Sequence, residues 1–435
     1  MVKRSTMTRT TVLEVRAAPR SPGLLGGAID VPAPGEERPD WALDVRGWAI
    51  GEHAPVVAVE GVHEGRRLWR VPLDVERPRT AAEHPGAPDD RIGFHAVAGT
   101  LPLTREFDVE VEAVLDGGER SPIGVVRGRR SPLRSSFEPQ RNPVLVTTLG
   151  RTGSMLLMRL LSAHPEVLVY RPHRFEQRIA SYWADVLLSL AEPTGYIRQI
   201  TPPGDVEDPA WWLGREAPMP WGLRDTAVQE WLGGDGVESL AATSQQQIEA
   251  TYDRIVATTD TPDASLFAEK CNLRAANLLT ELYPGSRELF LVRDFRDMVT
   301  SILSFNAKRG VQGFGRESAT TDADFIASLG GWANRLVRAW ERRRDSAHLV
   351  RYEDLVLDPE RTVGEVLSYL GVDSAATTVA TLRQRLEEDL PELQAHTTSD
   401  GPRDSVGRWR RDLAPDLVDE CERSLSVALD AFGYA

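Results

Sequence analysis

The stretch from Val144 to Ala163 limits the possible fold more than any other. Val144-Leu145-Val146-Thr147-Thr148-Leu149 is apolar and β-branched without alternation, the pattern of a strand buried on both faces. Gly150-Arg151-Thr152-Gly153-Ser154 follows at once, and its glycines allow a tight turn and a close approach to a ligand. From Met155 the period becomes helical, with Leu156, Leu157, Leu160 and Leu161 on one apolar face and Arg159 off it. Free N–H groups and the positive end of a helix therefore converge near Gly153 and Ser154, where an anion, most commonly phosphate, is held.

Alternating strand and helix patterns continue to the end of the chain. Glu166–Tyr170, Leu266–Ala268, Glu288–Val292 and Leu349–Tyr352 read as strands, and Leu273–Leu282, Asp294–Ile302, Phe325–Arg344, Val363–Leu370 and Pro415–Phe432 as helices. A further helix is expected from about Phe175, with Ile179, Tyr182, Trp183, Val186 and Leu187 facing inward. This order predicts an α/β domain over residues 143–435 with a mainly parallel sheet flanked by helices. Ligands of such sheets gather at the strand C-terminal ends. Residues 191–260 read as irregular, and Trp211, Trp212, Trp221 and Trp231 there suit either a satellite core under a loop or a lid over an acceptor pocket.

Ahead of this domain the texture changes. Residues 1–22 read as a loose terminus, and 23–127 carry short alternating runs such as Leu43–Ile50, Val56–Val62 and Phe107–Leu115, divided by turns such as Asp116-Gly117-Gly118-Glu119. They suggest a smaller antiparallel β-sandwich. Residues 128–142, with Arg129, Arg130, Arg134 and Arg141 among serine and proline, read as a basic linker.

The net charge of −14 argues against general nucleic-acid binding and requires any anion site to be a local cluster. No run is apolar and long enough to span a bilayer, and the N-terminal residues lack the apolar core of a signal peptide. Cys271 and Cys421 form no C-x-x-C pair, so a reducing, cytoplasmic setting is expected. The histidines at 53, 63, 84 and 95 lack metal-ligand spacing, and no metal is expected. Lys270 is one of only three lysines among many arginines, and it closes a strand.

The loop at 150–154 is not a Walker A motif: it lacks both the spacing and the lysine that grips a transferring phosphate. Leu149-Gly150-Arg151-Thr152-Gly153-Ser154, followed by Leu157-x-x-Leu160-Leu161-x-x-His164-Pro165, instead resembles the first signature of sulfotransferases that use 3′-phosphoadenylyl sulfate (PAPS). Leu291-Val292-Arg293-Asp294-x-Arg296-Asp297-x-x-x-Ser301 resembles their second, Arg351-Tyr352-Glu353-Asp354-Leu355 a later landmark, and Ser405-Val406-Gly407-Arg408-Trp409-Arg410 their C-terminal segment. The resemblance runs over nearly all of 143–435 and leaves out the N-terminal region. There, Gly47-Trp48-Ala49-Ile50 and Gly93-Phe94 are similar to small β-domains of glycan-modifying enzymes.

The resemblance implies sulfuryl transfer from PAPS to an acceptor hydroxyl, carbohydrate being the favoured class, with adenosine 3′,5′-bisphosphate as product. Arg151, Thr152, Gly153, Ser154 and Met155 would wrap the 5′-phosphosulfate; Met155 stands where the family usually has Thr or Ser. Arg293 and Ser301 would hold the 3′-phosphate, Arg408 would close over the 3′-phosphate or adenine, and Ser399 is a further donor-loop candidate. Arg296 reads instead as a surface ion pair with its neighbouring aspartates. Lys270 would neutralise the leaving oxygen. The general base would be His173 or Glu176, the latter expected in the first turn of a helix. A non-catalytic glycan- or partner-binding protein on the same nucleotide fold is the alternative, motivated by Met155 and the extra β-region.

Overall fold

The computed structural model describes residues 7–19, 21–190, 231, 233–259, 261–387, 398–399 and 401–435. The chain divides into two compact units, one of residues 1–137 and 183–246, the other of 138–182 and 247–435.

The first unit is built from β1 (Thr10–Ala17), β2 (Leu24–Val31), β3 (Glu37–Arg38), β4 (Ala42–Gly51), β5 (Val56–His63), β6 (Arg66–Val71), a short helix α1 (Pro78–Glu83), β7 (Gly93–Gly99), β8 (Glu106–Leu115) and β9 (Arg120–Arg130). They form two antiparallel sheets, ordered β3-β1-β9-β8-β5-β6 and β2-β4-β7. Alternation fixes the facing: in β8, Phe107, Val109 and Val111 turn inward while Glu106, Asp108 and Glu110 face solvent. Val12, Val109 and Val126 of one sheet share a core with Leu43, Val45 and Phe94 of the other.

Two expectations are corrected here. Thr10–Ala17, inside the stretch read as a loose terminus, is a strand that pairs with β9 along its length. The basic linker is shorter than read, because β9 runs to Arg130. Arg141 is not a solvated connector residue either: it is buried and donates to Glu249 at 2.5 Å and Asp253 at 2.7 Å.

In the second unit, a five-stranded parallel sheet is ordered β11-β12-β10-β13-β14, from β10 (Asn142–Thr148), β11 (Val167–Leu168), β12 (Leu266–Cys271), β13 (Arg287–Val292) and β14 (Ala347–Arg351). The helices that follow in chain order are α2 (Ser154–Leu161), α3 (Ile179–Leu190), α4 (Asp235–Val256), α5 (Leu273–Leu282), α6 (Phe295–Arg309), α7 (Asp322–Arg343), α8 (Tyr352–Leu357), α9 (Pro359–Leu370), α10 (Ala376–Glu387), α11 (Trp409–Asp412), α12 (Pro415–Ser424) and α13 (Ser426–Ala431), of which α3 from residue 183 and α4 up to residue 246 count with the first unit. Successive residues of β13 serve opposite faces. Leu289 and Leu291 join a core with Leu157 of α2 and Val363 of α9, whereas Phe290 and Val292 join one with Met298 of α6 and Phe325 of α7. Because β10 lies between β12 and β13, the loop leaving its C-terminal end emerges between the ends of those two strands.

The helix expected from Phe175 begins at Ile179, after a 3-10 turn over Pro172–Phe175. Its buried stripe runs through Ala180, Ala184 and Leu187, so Tyr182 and Val186 lie outside, contrary to expectation. The alanines set the helix phase, and hydrophobic size alone misassigned it. Residues 235–256, read as irregular, form the helix α4. Trp211, Trp212 and Trp221, read as a satellite core under a loop or as part of a lid, lie outside the described residues.

Candidate active site

The loop after β10 is wound tightly. Gly153, the residue before α2, has φ +87°, and a Cβ there would stand 2.2 Å from the Tyr352 ring, so only glycine fits. A Cβ on Gly150 would meet the Phe314 ring at 2.5 Å. The hydroxyls of Thr148 and Thr152 are hydrogen-bonded to each other at 2.5 Å, with the Leu291 carbonyl 2.8 Å from Thr148 and that of Leu149 3.1 Å from Thr152 to accept whichever proton that pair leaves over. Thr152 is thus buried in the loop's own scaffolding. No side chain caps α2; of its first-turn N–H groups, that of Leu156 bonds back to the Gly153 carbonyl at 2.9 Å.

Three arginines meet beside this helix start. Arg151 donates from Nε to Ser301 Oγ at 3.1 Å and lies over the Phe305 ring at 4.7 Å. Arg293, at the end of β13, donates to the Arg151 carbonyl at 3.3 Å and the Ser405 carbonyl at 2.5 Å, and lies 4.7 Å over Tyr352. Its Nε is buried without a hydrogen-bond partner among the described residues. Arg408 donates to the Thr398 carbonyl at 2.6 Å and to Ser304 Oγ at 2.7 Å, and pairs with Asp412 at 3.3 Å. Burial, and then the positive charges of Arg293 and Arg408, pull the Arg151 guanidinium down to about 10. Mutual repulsion of this kind marks a place prepared for negative charge.

Asp297 holds the C-terminal segment in place. It is fully buried in the first turn of α6, where Oδ2 accepts the N–H of Gly407 at 2.6 Å and Oδ1 that of Trp409 at 2.9 Å. These bonds bracket Arg408. Arg296 is not the surface ion pair expected: it is buried, paired with Asp294 at 2.9 Å, donates to the Tyr434 carbonyl at 2.6 Å, and lies over Trp409. Docking of the chain's last residues onto α6 turns this pair inward.

On the other side of the 150–154 loop, β12 carries the buried Lys270 one residue before its end, and Lys270 donates to Glu176 Oε1 at 2.5 Å. Arg178 donates to the other Glu176 oxygen at 2.8 Å. Burial works to raise the Glu176 carboxyl, but Lys270, with help from Arg178, outweighs it and holds the group below its usual range. Burial lowers the Lys270 ammonium, and the Glu176 charge opposes that shift. Glu176 lies before α3, not in its first turn. The carboxylate at that helix start is Glu269, from the strand.

The structure brings Arg151, Arg293, Ser301 and Arg408 together, and it brings Lys270 and Glu176 together. Gly153, Ser154 and Met155 occupy the open start of α2. His173 lies in the 3-10 turn ahead of Glu176. Ser399 bonds within its own turn, to the Gly401 carbonyl at 3.0 Å; its neighbour Thr398 instead reaches Ser301 at 3.4 Å and Arg408 at 3.2 Å. Sequence reasoning gave no role to Thr398, Ser304, Phe305, Tyr352, Asp297 or Glu269. Only the last carried a local signal, an acid inside a strand of buried type. Among the described residues, no group of His, Cys, Asp and Glu is arranged to hold a metal, and no helix is long and apolar enough to cross a membrane.

A family model described as the sulfotransferase family matches residues 143–376. No curated protein matches the chain by sequence. Among solved structures, it is similar to a sulfotransferase domain from the curacin biosynthetic pathway, at 16% identity over 67% of this chain and 98% of that one, with a TM-score of 0.40. It is also similar to a mouse sulfotransferase complexed with PAP, at 13% identity over 69% and 92%, TM-score 0.38. A third likeness is to a sulfotransferase from Mycobacterium avium, at 15% identity over 68% and 78%, TM-score 0.37.

Proposed function

Because the chain belongs to the sulfotransferase family, we propose that it transfers a sulfuryl group from PAPS to an acceptor hydroxyl and releases adenosine 3′,5′-bisphosphate, with residues 143–435 as the transferring domain. The observation that carries this reading is the gathering of Arg151, Arg293 and Arg408 beside the uncapped start of α2. The helix start suits the 5′-phosphosulfate, and Arg293 with Ser301 and Arg408 suits the 3′-phosphate.

In the step proposed, the acceptor oxygen attacks sulfur as the bond from sulfur to the 5′-phosphate oxygen breaks, and the electron pair stays with the phosphate. The hydroxyl proton passes to Glu176 or His173. Glu176 is the better supported, since Lys270 and Arg178 keep it ionised and able to accept. Protonation of Glu176 ends its ion pair with Lys270 and frees the ammonium to neutralise the departing oxygen. Positioning and charge placement add to this proton transfer. We assign the acceptor to carbohydrates or glycosylated small molecules; the resemblance of Gly47–Ile50 and Gly93-Phe94 to β-regions of glycan-modifying enzymes supports that class.

Calorimetric titration with adenosine 3′,5′-bisphosphate tests the donor. Saturable binding that Arg293→Ala weakens by about tenfold or more is expected, because a hydrogen bond to a charged group contributes about 1.5–3 kcal/mol. No binding by the unmodified chain overturns the reading. Mass spectrometry of glycans incubated with labelled PAPS identifies the acceptor.

A further inference from the structure

Glu269 is a buried titratable group that the proposed step leaves unused. Its side chain is 1% exposed. It accepts the N–H of Ala180 on both oxygens, at 2.9 and 3.0 Å, that of Ser181 at 3.4 Å, and the Tyr252 hydroxyl at 2.5 Å. Tyr252 is itself fixed by stacking on Phe267, with ring centroids 4.2 Å apart. The free N–H groups of a helix's first turn are ordinarily met by a residue just before it. In α3 they are met by a carboxylate 89 positions away in sequence. The adjacent residue of the same strand, Lys270, holds Glu176. β12 therefore grips one short segment twice, at a side chain before α3 and at the backbone where α3 begins.

We propose that Glu269 is a positioning residue: with Lys270 it pins residues 176–181 to the end of β12 and so fixes where the proton-accepting segment, Glu176 and His173 included, stands against the donor loop. This rests on the sulfotransferase reading for the roles of Glu176 and His173. The clamp itself rests on hydrogen bonds alone. Burial raises the Glu269 carboxyl to about 7, while Tyr252 and the backbone donors work to lower it. An amide oxygen at the same place would still accept from the helix start, and an apolar side chain of like volume would not.

The test uses the full chain with Glu269→Leu and Glu269→Gln. Three readouts are taken: amide hydrogen exchange over 172–182, the carbon-13 titration of the Glu176 carboxyl, and calorimetric affinity for adenosine 3′,5′-bisphosphate. In Glu269→Leu, exchange at 179–182 should quicken about tenfold or more. The Glu176 carboxyl, facing Lys270 and Arg178, should titrate closer to its ordinary value as the Lys270 contact loosens. Nucleotide affinity should stay within about twofold, since the arginine cluster shares no partner with Glu269. Glu269→Gln should restore both the protection and the Glu176 titration. If Glu269→Leu does not fold, Glu269→Asp, which withdraws the carboxylate by one methylene, carries the same expectations. Unchanged exchange and titration overturn the proposal, as does a loss of nucleotide affinity that rises in step with exchange. Absence of nucleotide binding in the unmodified chain would instead strike the functional reading, and the exchange result would still judge the clamp.

Discussion

Replacing Arg151 with methionine should stabilise the ligand-free protein while removing its hold on the donor. The Arg151 guanidinium titrates at about 10 against an ordinary 12.5, through burial first and then through Arg293 and Arg408. At about 1.36 kcal/mol per pKa unit this amounts to about 3 kcal/mol, or about 2 once residual solvent contact is allowed for. The sign follows from the direction of the shift. A cation with a depressed folded-state pKa weighs against folding at every pH below about 10 and is relieved only between there and 12.5, where the folded chain sheds a proton that the unfolded chain keeps. At pH 7 the unfavourable contribution is fully present. Against it stand the bond to Ser301, about 1 kcal/mol, and the Phe305 contact, about 0.5 kcal/mol. Methionine keeps much of the stem's packing, so Arg151→Met should gain up to about 1 kcal/mol in urea unfolding at pH 7, in buffer free of phosphate and sulfate. The order should reverse with nucleotide. Adenosine 3′,5′-bisphosphate at a hundred times its dissociation constant should raise the unmodified protein by about 2.7 kcal/mol and the variant by far less. A ligand-free loss above about 1 kcal/mol, or an undiminished nucleotide effect, would refute the view that burial and like charge at Arg151 outweigh its contacts until an anion binds.

The remaining expectations concern single contacts. Asp297→Ala strips the acceptors from Gly407 and Trp409 and releases the segment bearing Arg408, so calorimetric donor affinity should fall about 10- to 100-fold, matching about 1.5–3 kcal/mol for a charged hydrogen bond; an unchanged constant would show that Arg408 needs no such anchor. Lys270→Ala removes the charge that holds Glu176 down, so its carboxyl should titrate higher than in the unmodified chain, and carbon-13 spectra showing no upward move would contradict the pairing. Gly153→Ala meets both a left-handed backbone and the Tyr352 ring, and should lower stability by about 2 kcal/mol or more in thermal melts. A melt matching the unmodified protein would mean that the loop is far looser than its geometry.

The parts of the site that could be read in the sequence are those encoded within a few residues. The strand, glycine turn and helix from Val144 to Leu161 are local, and so is the pattern Arg293-x-x-x-x-x-x-x-Ser301, whose spacing sets both residues toward one side of a strand end and its helix. What could not be read depends on chain segments far apart. Asp297 looks like any acid in a helix's first turn until the loop at 405–409 folds back onto it. Arg296 reads as a surface charge because nothing local announces that Tyr434 will cover it. The start of α3 was misplaced for the same reason. Glu176 fits the local rule for a helix-start carboxylate, but the acid that fills that role arrives from β12 and leaves Glu176 to face Lys270. In the first unit, strand β1 was missed because its edges are polar and its identity comes from pairing with β9.

The two units also offer a comparison that bears on what makes arginines a site. Glu60 on β5 gathers Arg67, Arg70 and Arg120 at 3.1, 2.7 and 3.1 Å, and together these hold its carboxyl down against the burial that would raise it. Those three arginines are bound to an acid, so an incoming anion would have to displace it. Arg151, Arg293 and Arg408 are as numerous, and among the described residues they donate to neutral oxygens, the Ser301 and Ser304 hydroxyls and the carbonyls of Arg151, Ser405 and Thr398. Two nearby acids are turned elsewhere, Asp297 to the Gly407 and Trp409 amides and Glu353 to the Asp294 amide and the Tyr434 hydroxyl. Arg408 also has a carboxylate contact, at 3.3 Å to Asp412. Neutral oxygens fix the direction of a guanidinium without cancelling its charge, and acids spent on backbone donors shape the loops without competing for it. In a chain of net charge −14, Arg151, Arg293 and Arg408 can therefore stand close together where acids such as Asp297 and Glu353 act on backbone donors.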